Sequence, residues 1–332
     1  MNIAIVGATG KVGGKFIEVL QERNIQADNF YLYASSKSAG KKITLFNKEY
    51  PVLLLCKENI EDKHIDYALF SAGSSISKTY APIFACMGAV VIDNSSAWRR
   101  EESVPLVVPE VNPQDILNHN GIIANPNCST IQAMLPLKAL EKFGLKRVVF
   151  STYQAVSGAG QKGYEDLFRG IKGEGPQKFV HPIFSNIIPH IDDFLPNGYT
   201  KEEDKMIFET RKILHQPNLK VTATTARVPV FDCHSESINI EFEKPFEMQD
   251  IYKALSNMQG VVVMDDTKSN LYPMPCVVTN KDEVFIGRIR RDESVESGIN
   301  IWVVADNIRK GAATNAVQIL QKILEYKAEG KL

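Results

Sequence analysis

The fold of this chain is decided near its amino terminus, in the stretch Ile3-Ala4-Ile5-Val6-Gly7-Ala8-Thr9-Gly10-Lys11-Val12-Gly13. Four apolar residues typical of a buried strand lead into a glycine-rich turn, and apolar side chains then recur at helical spacing from Lys11 to Arg23. Glycines at these points permit a tight turn and let backbone N–H groups approach a pyrophosphate at the helix N-terminus. We therefore predict the first βα unit of a dinucleotide-binding domain. A glycine-rich turn that binds no dinucleotide is the alternative.

Short apolar runs and helical patterns alternate through about the first 125 residues, a pattern typical of βαβ units around a parallel sheet. The strands predicted in this half are Ile3–Val6, Phe30–Tyr33, Tyr67–Phe70, Val90–Asp93 and Gly121–Ala124.

The second half of the chain has a different pattern, in which a helix at Ile131–Phe143 is followed by strand-like runs. These runs are Val148–Gln154, Val221–Val230, Ser237–Phe242, Val261–Met264, Val284–Ile289 and Ile299–Val304. Apolar and polar residues alternate in Ser237–Phe242, which predicts a sheet with one solvated face. Gly and Pro are frequent in Gly158–Pro196, which predicts loops, and a helix at Ala312–Lys327 ends the pattern.

Together these patterns predict an α/β protein of two domains, which suits a chain of 332 residues. The first is a Rossmann-type domain at residues 1–127, completed by the C-terminal helix at 311–332. The second, at residues 128–310, is an α+β domain with a mixed sheet.

Composition argues against several classes of protein. The 38 Lys and Arg residues nearly balance 39 Asp and Glu residues, so no net charge draws the chain to nucleic acid or anionic lipid. No run approaches the roughly 20 apolar residues of a membrane span, and the N-terminus does not resemble a secretory signal. Five scattered cysteines without a CxxC pair argue against a disulfide framework and a cysteine zinc site. We predict a cytoplasmic location, no metal, no membrane contact and no nucleic-acid partner.

The residues after the second strand favour NADP(H) over NAD(H). An NAD site usually has an acid here to hold the ribose 2′-hydroxyl. This chain instead has Ser35, Ser36, Lys37 and Ser38, whose hydroxyls and single cation suit a 2′-phosphate. A solvated lysine in an ordinary loop is the alternative.

Cys128 is the candidate nucleophile because it lies where the chain leaves a strand and enters a helix. A thiol at that point has its thiolate stabilised by the helix dipole. Cys56, Cys86 and Cys276 lie among apolar residues and are expected to be small core side chains. From this context alone, a structural role for Cys128 stays open.

The chain also resembles the bacterial-type branch of the aspartate-semialdehyde dehydrogenase family. Five motifs occur in the family's order over nearly the whole chain: Gly7–Gly13, Ser71–Ser75, Asn125–Thr130, Gln154–Gly160, and Arg227–Val230 followed by His234–Ser237.

This resemblance implies reduction of L-aspartyl 4-phosphate to L-aspartate 4-semialdehyde and phosphate by NADPH, in the biosynthesis of lysine, threonine, methionine and isoleucine. Cys128 would form a thioacyl intermediate, which divides one difficult reduction into two easier steps. His234 would be the acid/base, and Gln154 would orient the acyl group. A structural histidine and a strand-end amide are the alternatives for these two residues.

The resemblance also implies the residues that bind the substrate. Arg227 would clamp the α-carboxylate, a task that suits a guanidinium. Arg99 would face the phosphate; its neighbour Arg100 leaves the position open by one residue until the family register is applied. Glu202 would bind the amino group and Lys205 the phosphate, although this acidic segment alone reads as a solvated helix face. Asn127 would also reach the phosphate.

A larger set of residues would bind the cofactor. These are Gly7, Thr9, Gly10, Lys11, Val12, Gly13, Ser35, Ser36, Lys37, Ser38, Ser71, Gly73, Ser157, Gly158 and Asn315. Lys37 stands where the family often has arginine, and a lysine cannot stack on adenine as a guanidinium does. The family works as a homodimer, so 128–310 is expected to be the catalytic and dimerisation domain.

Two alternative functions remain open from the sequence. N-acetyl-γ-glutamyl-phosphate reductase runs the same chemistry, but its cysteine usually follows Asn-Pro-Gly, whereas Asn127 precedes Cys128 here. A non-catalytic nucleotide-binding relative would have no chemical reason to keep Cys128, Gln154, Arg227 and His234 together.

Overall fold

The computed structural model describes residues 1–332, which divide into two compact units. The first unit comprises Met1–Pro126 and Ala312–Leu332, and the second comprises Asn127–Gly311.

The first unit is built on a seven-stranded, mostly parallel sheet. Its strands are β1 (Asn2–Val6), β2 (Asn29–Ala34), β3 (Lys42–Leu45), β4 (Lys48–Leu54), β5 (Tyr67–Phe70), β6 (Val90–Asp93) and β7 (Ile122–Ala124), and its helices in this part of the chain are α1 (Lys11–Glu22), α2 (Lys57–Glu61) and α3 (Ser74–Cys86). The strand order is β3-β4-β2-β1-β5-β6-β7, and only the β3–β4 pair is antiparallel. The direction of winding reverses at β1, so the carboxyl end of β1 is where such a sheet binds ligands.

The second unit is built on a six-stranded mixed sheet. Its elements are α4 (Cys128–Leu140), β8 (Leu145–Gln154), α5 (Gln161–Ile171), α6 (Lys201–Ile213), β9 (Lys220–Arg227), β10 (His234–Phe242), α7 (Met248–Ser256), β11 (Val261–Val263), α8 (Pro275–Val278), β12 (Val284–Arg291) and β13 (Gly298–Ala305). The order β11-β12-β13-β10-β8-β9 contains parallel and antiparallel pairs, which confirms the predicted mixed sheet. Helix α4 is buried on all sides, as an apolar helix inside a domain must be.

The last helix, α9 (Thr314–Ala328), returns to the first unit. Ala316, Val317, Leu320 and Ile323 pack in the same buried cluster as Phe16 and Leu20 of α1.

The predicted strands and helices are confirmed, with ends that differ by at most three residues, but several further elements were not predicted, among them the hairpin β3–β4 and helix α5. The hairpin β3–β4 was not predicted, because it is a half-exposed edge pair without a clear apolar pattern. Helix α5 lies inside the segment predicted as loops. Its Gly163 is a packing residue, since a Cβ there would collide with the Val156 carbonyl oxygen.

The expectation for three cysteines was wrong. Cys86 and Cys276 are exposed and Cys56 is only partly buried, because each lies at the end of a helix or in a short one, where apolar neighbours in sequence do not produce burial. None of the helices is both long enough and apolar enough to cross a bilayer.

Candidate active site

Three strands of the second sheet bring polar side chains into one row. Gln154 pairs with Arg227 across β8 and β9, and the pairing of Ser235 with Tyr153 sets His234 beside Gln154 from β10. All three side chains of this row are buried. The register therefore brings together three residues that are far apart in sequence.

The backbone of Ala155 connects this row. Its N–H donates to His234 Nδ1 at 3.0 Å, and its carbonyl oxygen accepts from Arg227 Nη1 at 2.7 Å. The pKa of His234 is held well below its usual range by burial and by the charge of Arg227. Sequence reasoning missed Ala155, because a backbone contact leaves no signal in the residue type.

Cys128 is the first residue of α4, at the helix start predicted for it from the sequence. Asn127 is the N-cap, and its Oδ1 accepts from the Ser129 and Thr130 N–H groups at 3.0 and 3.3 Å. Cys128 is partly exposed, whereas the residues after it are buried, so it forms the accessible N-terminal end of a helix that is otherwise buried. Arg227 is close enough for its charge to interact with the Cys128 thiolate. The helix N-terminus and this guanidinium both favour the thiolate.

Glu202 lies in the first turn of α6 and is buried, which corrects the reading of its segment as a solvated face. Its carboxylate accepts from Asn127 Nδ2 at 2.9 Å, Gln154 Nε2 at 3.2 Å and Lys205 Nζ at 3.2 Å. Burial alone would raise the pKa of Glu202, but Lys205, Asn127 and Arg227 hold it below its usual value. An ionised carboxylate is thus fixed beside Gln154.

A second polar layer lies directly under the row. Glu236 of β10 pairs with Thr152 of β8, which in turn pairs with Thr225 of β9. Thr152 Oγ1 accepts from Gln154 Nε2 at 3.3 Å, whereas both carboxyl oxygens of the buried Glu236 have no protein partner. Burial raises the pKa of Glu236 well above its usual value, and the charge of Glu202 adds to this. Sequence reasoning did not single out Glu236, which looks like a polar residue of an alternating strand.

Ser157 and Gly158 form the turn that follows Gln154 and Ala155. A Cβ at Gly158 would lie 2.8 Å from Arg227 Nη1 and 3.4 Å from His234 Nε2, so a side chain there would disturb the row. Ser157 Oγ donates to Asn307 Oδ1 at 3.1 Å, and the same oxygen accepts from the Cys233 N–H at 3.0 Å. Asn307, another residue that sequence reasoning missed, therefore ties this turn to the start of β10.

The predicted cofactor loop lies in the first unit. Gly7 has a φ of +86°, and a Cβ on Gly13 would collide with the Gly7 carbonyl oxygen, so this turn requires its glycines. Helix α1 begins after Gly10 without a side-chain cap, which leaves its N-terminus suited to an anion. This cradle fits a pyrophosphate. Thr9, Lys11 and Val12 belong to the same loop and first turn.

The other cofactor candidates of this unit follow the carboxyl ends of β2 and β5, the two neighbours of β1. They are Ser35, Ser36, Lys37 and Ser38 after β2, and Ser71 and Gly73 after β5. Lys37 is exposed. Parallel strands place their carboxyl ends at one edge, so these residues and the glycine loop share that edge.

Arg99 and Asn315 are also in the first unit and are buried. Arg99 Nη2 donates to the Asn94 carbonyl oxygen at 3.0 Å, and Asn94 Oδ1 accepts from Asn125 Nδ2 at 2.6 Å. Asn315 Nδ2 donates to Asn125 Oδ1 at 2.7 Å and to the Val107 carbonyl oxygen at 2.9 Å. These bonds link Asn315 to the segment that carries Arg99.

Comparison with known proteins gives matches over nearly the entire chain. Residues 2–119 match the family model described as semialdehyde dehydrogenase, NAD binding domain, and residues 136–310 match semialdehyde dehydrogenase, dimerisation domain. The chain is 57% identical over 334 residues to the aspartate-semialdehyde dehydrogenase of Aquifex aeolicus and 45% identical over 338 residues to that of Bacillus subtilis. The alignments cover 98% of both chains in the first case and 97% in the second.

Solved structures agree with these matches. Aspartate semialdehyde dehydrogenase II of Vibrio cholerae, complexed with ASA, has 42% identity, a TM-score of 0.92 and 98% coverage of both chains. The Candida albicans aspartate semialdehyde dehydrogenase with NADP has 26% identity and a TM-score of 0.76, and the alignment covers 100% of this chain and 99% of that one.

Proposed function

Since the chain belongs to the aspartate-semialdehyde dehydrogenase family, we propose that it reduces L-aspartyl 4-phosphate to L-aspartate 4-semialdehyde and phosphate, with NADPH as reductant. The observation that carries this proposal is the joint placement of Cys128 at a helix N-terminus and of His234, Gln154 and Arg227 in one buried row of the same unit. This set suits acyl transfer to a thiol.

Cys128 acts as the nucleophile in the proposed reaction. The N-terminus of α4 and the guanidinium of Arg227 stabilise its thiolate, which attacks the acyl carbon of the substrate. The carbon–oxygen bond to phosphate breaks, and the acyl group stays on sulfur as a thioester. NADPH, when bound, supplies the hydride that reduces the acyl group. The carbon–sulfur bond then breaks, which releases the aldehyde and returns Cys128 to its thiolate form.

The substrate is held by side chains whose charges are opposite to those of its own groups. Arg227 binds the α-carboxylate, and the ionised Glu202 binds the α-ammonium group. Lys205, Asn127 and Arg99 bind the phosphate. Gln154, anchored by Glu202 and Thr152, orients the acyl group.

NADP(H) is the proposed cofactor, bound by the glycine loop, by Ser35 to Ser38 and by the residues after β5. Lys37 provides the charge that recognises the 2′-phosphate. Replacing Lys37 with alanine is therefore expected to weaken NADPH binding at least about tenfold and to leave NADH binding unchanged, since a hydrogen bond to a charged group contributes about 1.5–3 kcal/mol. Fluorescence titration of both cofactors checks this. Equal weakening of both would show that Lys37 does not select the phosphate.

We also propose a homodimer formed through the second unit, supported by the match to the dimerisation domain. Sedimentation velocity of the whole chain is expected to give twice the mass of one chain.

The enzyme assay follows NADPH formation from aspartate semialdehyde, NADP and phosphate. Cys128→Ser is expected to lower this rate by at least about 10³-fold, because a neutral hydroxyl is a far poorer nucleophile than a thiolate. The matched control, Cys86→Ser, changes an exposed cysteine and should keep the rate. Activity retained in Cys128→Ser, or faster reaction with the N-acetyl-γ-glutamyl analogue, would contradict the proposal.

A further inference from the structure

Glu209 is a buried carboxylate on α6 to which the proposed reaction assigns no role. Its Oε2 accepts a hydrogen bond from the backbone N–H of Asn127 at 2.6 Å. Glu209 is 1% exposed and Asn127 is 6% exposed, so the bond is shielded from water. Hydrogen bonds to an ionised acceptor are stronger than those between neutral groups. This bond therefore fixes the backbone immediately before Cys128.

Helix α6 holds Asn127 at two points. Glu202 and Glu209 are close to two helical turns apart, so both lie on the same face of the helix. Glu202 accepts from the side chain of Asn127, and Glu209 accepts from its main chain. One rigid element therefore sets both the backbone position and the side-chain direction of Asn127.

The other polar groups of Asn127 belong to the start of α4. Its Oδ1 caps the helix by accepting from the N–H groups of Ser129 and Thr130, and its carbonyl oxygen accepts from the Ile131 N–H at 2.9 Å. Every polar group of Asn127 thus has a partner on α4 or α6. Asn127 therefore connects the helix that begins with Cys128 to α6.

The bond from Glu209 replaces a contact that the start of a helix often forms within itself. In a capping box, a Glu or Gln at the third helical position accepts from the N–H of the N-cap residue. Helix α6 has such a box, in which Glu203 accepts from Thr200. In α4 the third position is Thr130, whose hydroxyl has no protein partner. Glu209 supplies the missing acceptor from another helix.

Cys128 is closely packed on its other side. Gly311 lies in the helical turn Arg309–Ala313, and a Cβ on it would lie 2.9 Å from the Cys128 Cβ and 3.3 Å from the Cys128 carbonyl oxygen. A main chain without a side chain thus packs directly against the candidate nucleophile. Cys128 lies between this turn and Asn127, so the place of its thiol depends on how Asn127 is held.

Resting on the proposed function, we propose that Glu209 is a positioning residue, which holds the peptide between Asn127 and Cys128 and so sets where the thiolate meets the acyl carbon of the substrate. In this role Glu209 contacts no substrate atom and transfers no proton. Without the acceptor, a buried N–H would be left unpaired, which is unfavourable, and the peptide would turn toward another partner. A misplacement of about 1 Å in a reacting group can lower a rate by about 10²-fold.

Two neutral variants separate the acceptor from the charge. Glu209→Gln keeps an oxygen that can accept from the Asn127 N–H, whereas Glu209→Met has a similar shape and only a weak acceptor. Both remove the negative charge, so its effect on the Cys128 thiolate is the same in the two. For NADPH formation from aspartate semialdehyde, kcat is expected to be at least about tenfold lower in Glu209→Met than in Glu209→Gln. The affinity for NADPH should be equal in both.

The reactivity of Cys128 is measured without substrate. The rate of alkylation by iodoacetamide is followed by mass spectrometry on the peptide containing Cys128. Its pH midpoint is expected to be about half a unit or more higher in Glu209→Met than in Glu209→Gln, because a displaced thiolate loses part of its stabilisation by the helix N-terminus. Equal kcat values or equal midpoints in the two variants would overturn the proposal, whatever their stability.

A second comparison keeps the charge and remains informative if Glu209→Met does not fold. Glu209→Asp shortens the side chain by about 1.5 Å, which opens the bond of 2.6 Å beyond hydrogen-bonding distance. Relative to the wild type, we expect a lower kcat and a higher midpoint, and wild-type values of both would overturn the proposal. Thr210→Val, at the next position of α6, is the control and should keep both values.

These measurements distinguish failure of this proposal from failure of the proposed function. The alkylation midpoints test Glu209 even if the enzyme acts on another acyl phosphate. A wild-type enzyme without activity on aspartate semialdehyde, whose variants show the expected midpoints, would reject the proposed substrate and support the role of Glu209.

Discussion

Two buried glutamates in the second unit have opposite environments. Glu202 is bonded to an amide and a lysine and stays ionised, whereas Glu236 has no protein partner and its pKa is raised. The negative charge of Glu202 raises the pKa of Glu236 further, so the pKa values of the two carboxyl groups differ more. The site therefore holds a negative charge on Glu202, whereas Glu236 beneath it favours its protonated form.

The raised pKa of Glu236 makes the free energy of unfolding depend on pH. Between the unfolded and folded pKa values the native state binds more protons, so stability is full below the unfolded pKa and falls as pH rises toward the folded pKa. Glu236→Gln keeps the shape but removes this titration. Its free energy of unfolding is expected to exceed that of the wild type increasingly above about pH 5, by up to about 1.4 kcal/mol per pH unit.

Urea unfolding at several pH values measures this difference. Glu241→Gln is the control, since Glu241 lies on the same strand but is partly exposed and paired with Lys146. A gain in Glu236→Gln that does not change with pH would mean that Glu236 is ionised in the folded protein.

At the scale of single elements, the first turn of α6 carries Glu202 and is fixed by a capping box. Thr200 Oγ1 accepts from the Glu203 N–H, and the Glu203 carboxylate accepts from the N–H groups of Thr200 and of Thr225 on β9. The box thus connects the helix to the strand that ends in Arg227.

The same helix offers a matched pair of substitutions. Thr200→Val removes the cap and is expected to reduce the free energy of unfolding by about 1 kcal/mol. Thr210→Val makes the same chemical change at a buried hydroxyl without a protein partner, so it should be neutral or stabilising. Chemical denaturation of both variants checks the pair. Equal losses would show that the cap does not contribute.

Sequence patterns predicted elements well where the consecutive residues of an element are themselves apolar and buried. The strand Tyr67–Phe70 is buried at all four positions, and its predicted and observed bounds agree. Helix α5 was missed because the frequent Gly and Pro residues of Gly158–Pro196 were interpreted as loop signals, whereas Gly163 is a glycine because it packs against Val156. Prediction failed there because the contact that requires this glycine is with Val156, which lies outside the helix.

The same distinction holds for the site. Residue type and motif position indicated Cys128, and the helix start it needs is present. Ala155, Asn307 and Glu236 could not be predicted, because a backbone hydrogen bond, a shared acceptor and an unpartnered carboxyl arise only when strands from distant segments meet.

At the scale of the whole molecule, the two units carry different parts of the chemistry. The glycine loop belongs to the first unit, and Cys128 with its buried row belongs to the second. Each unit has its own buried apolar cluster.

This division predicts that a substitution in one unit changes one function and leaves the other function unchanged. Gly13→Ala would press a methyl group against the Gly7 carbonyl oxygen and is expected to weaken NADPH binding at least about tenfold, while alkylation of Cys128 keeps its rate. Gly14→Ala is the control, because a Cβ there meets nothing within 4 Å. Cys128→Ser should abolish alkylation at this position and leave the affinity for NADPH unchanged. If Gly13→Ala slowed alkylation as strongly as it weakened NADPH binding, the two functions would not be separable by unit.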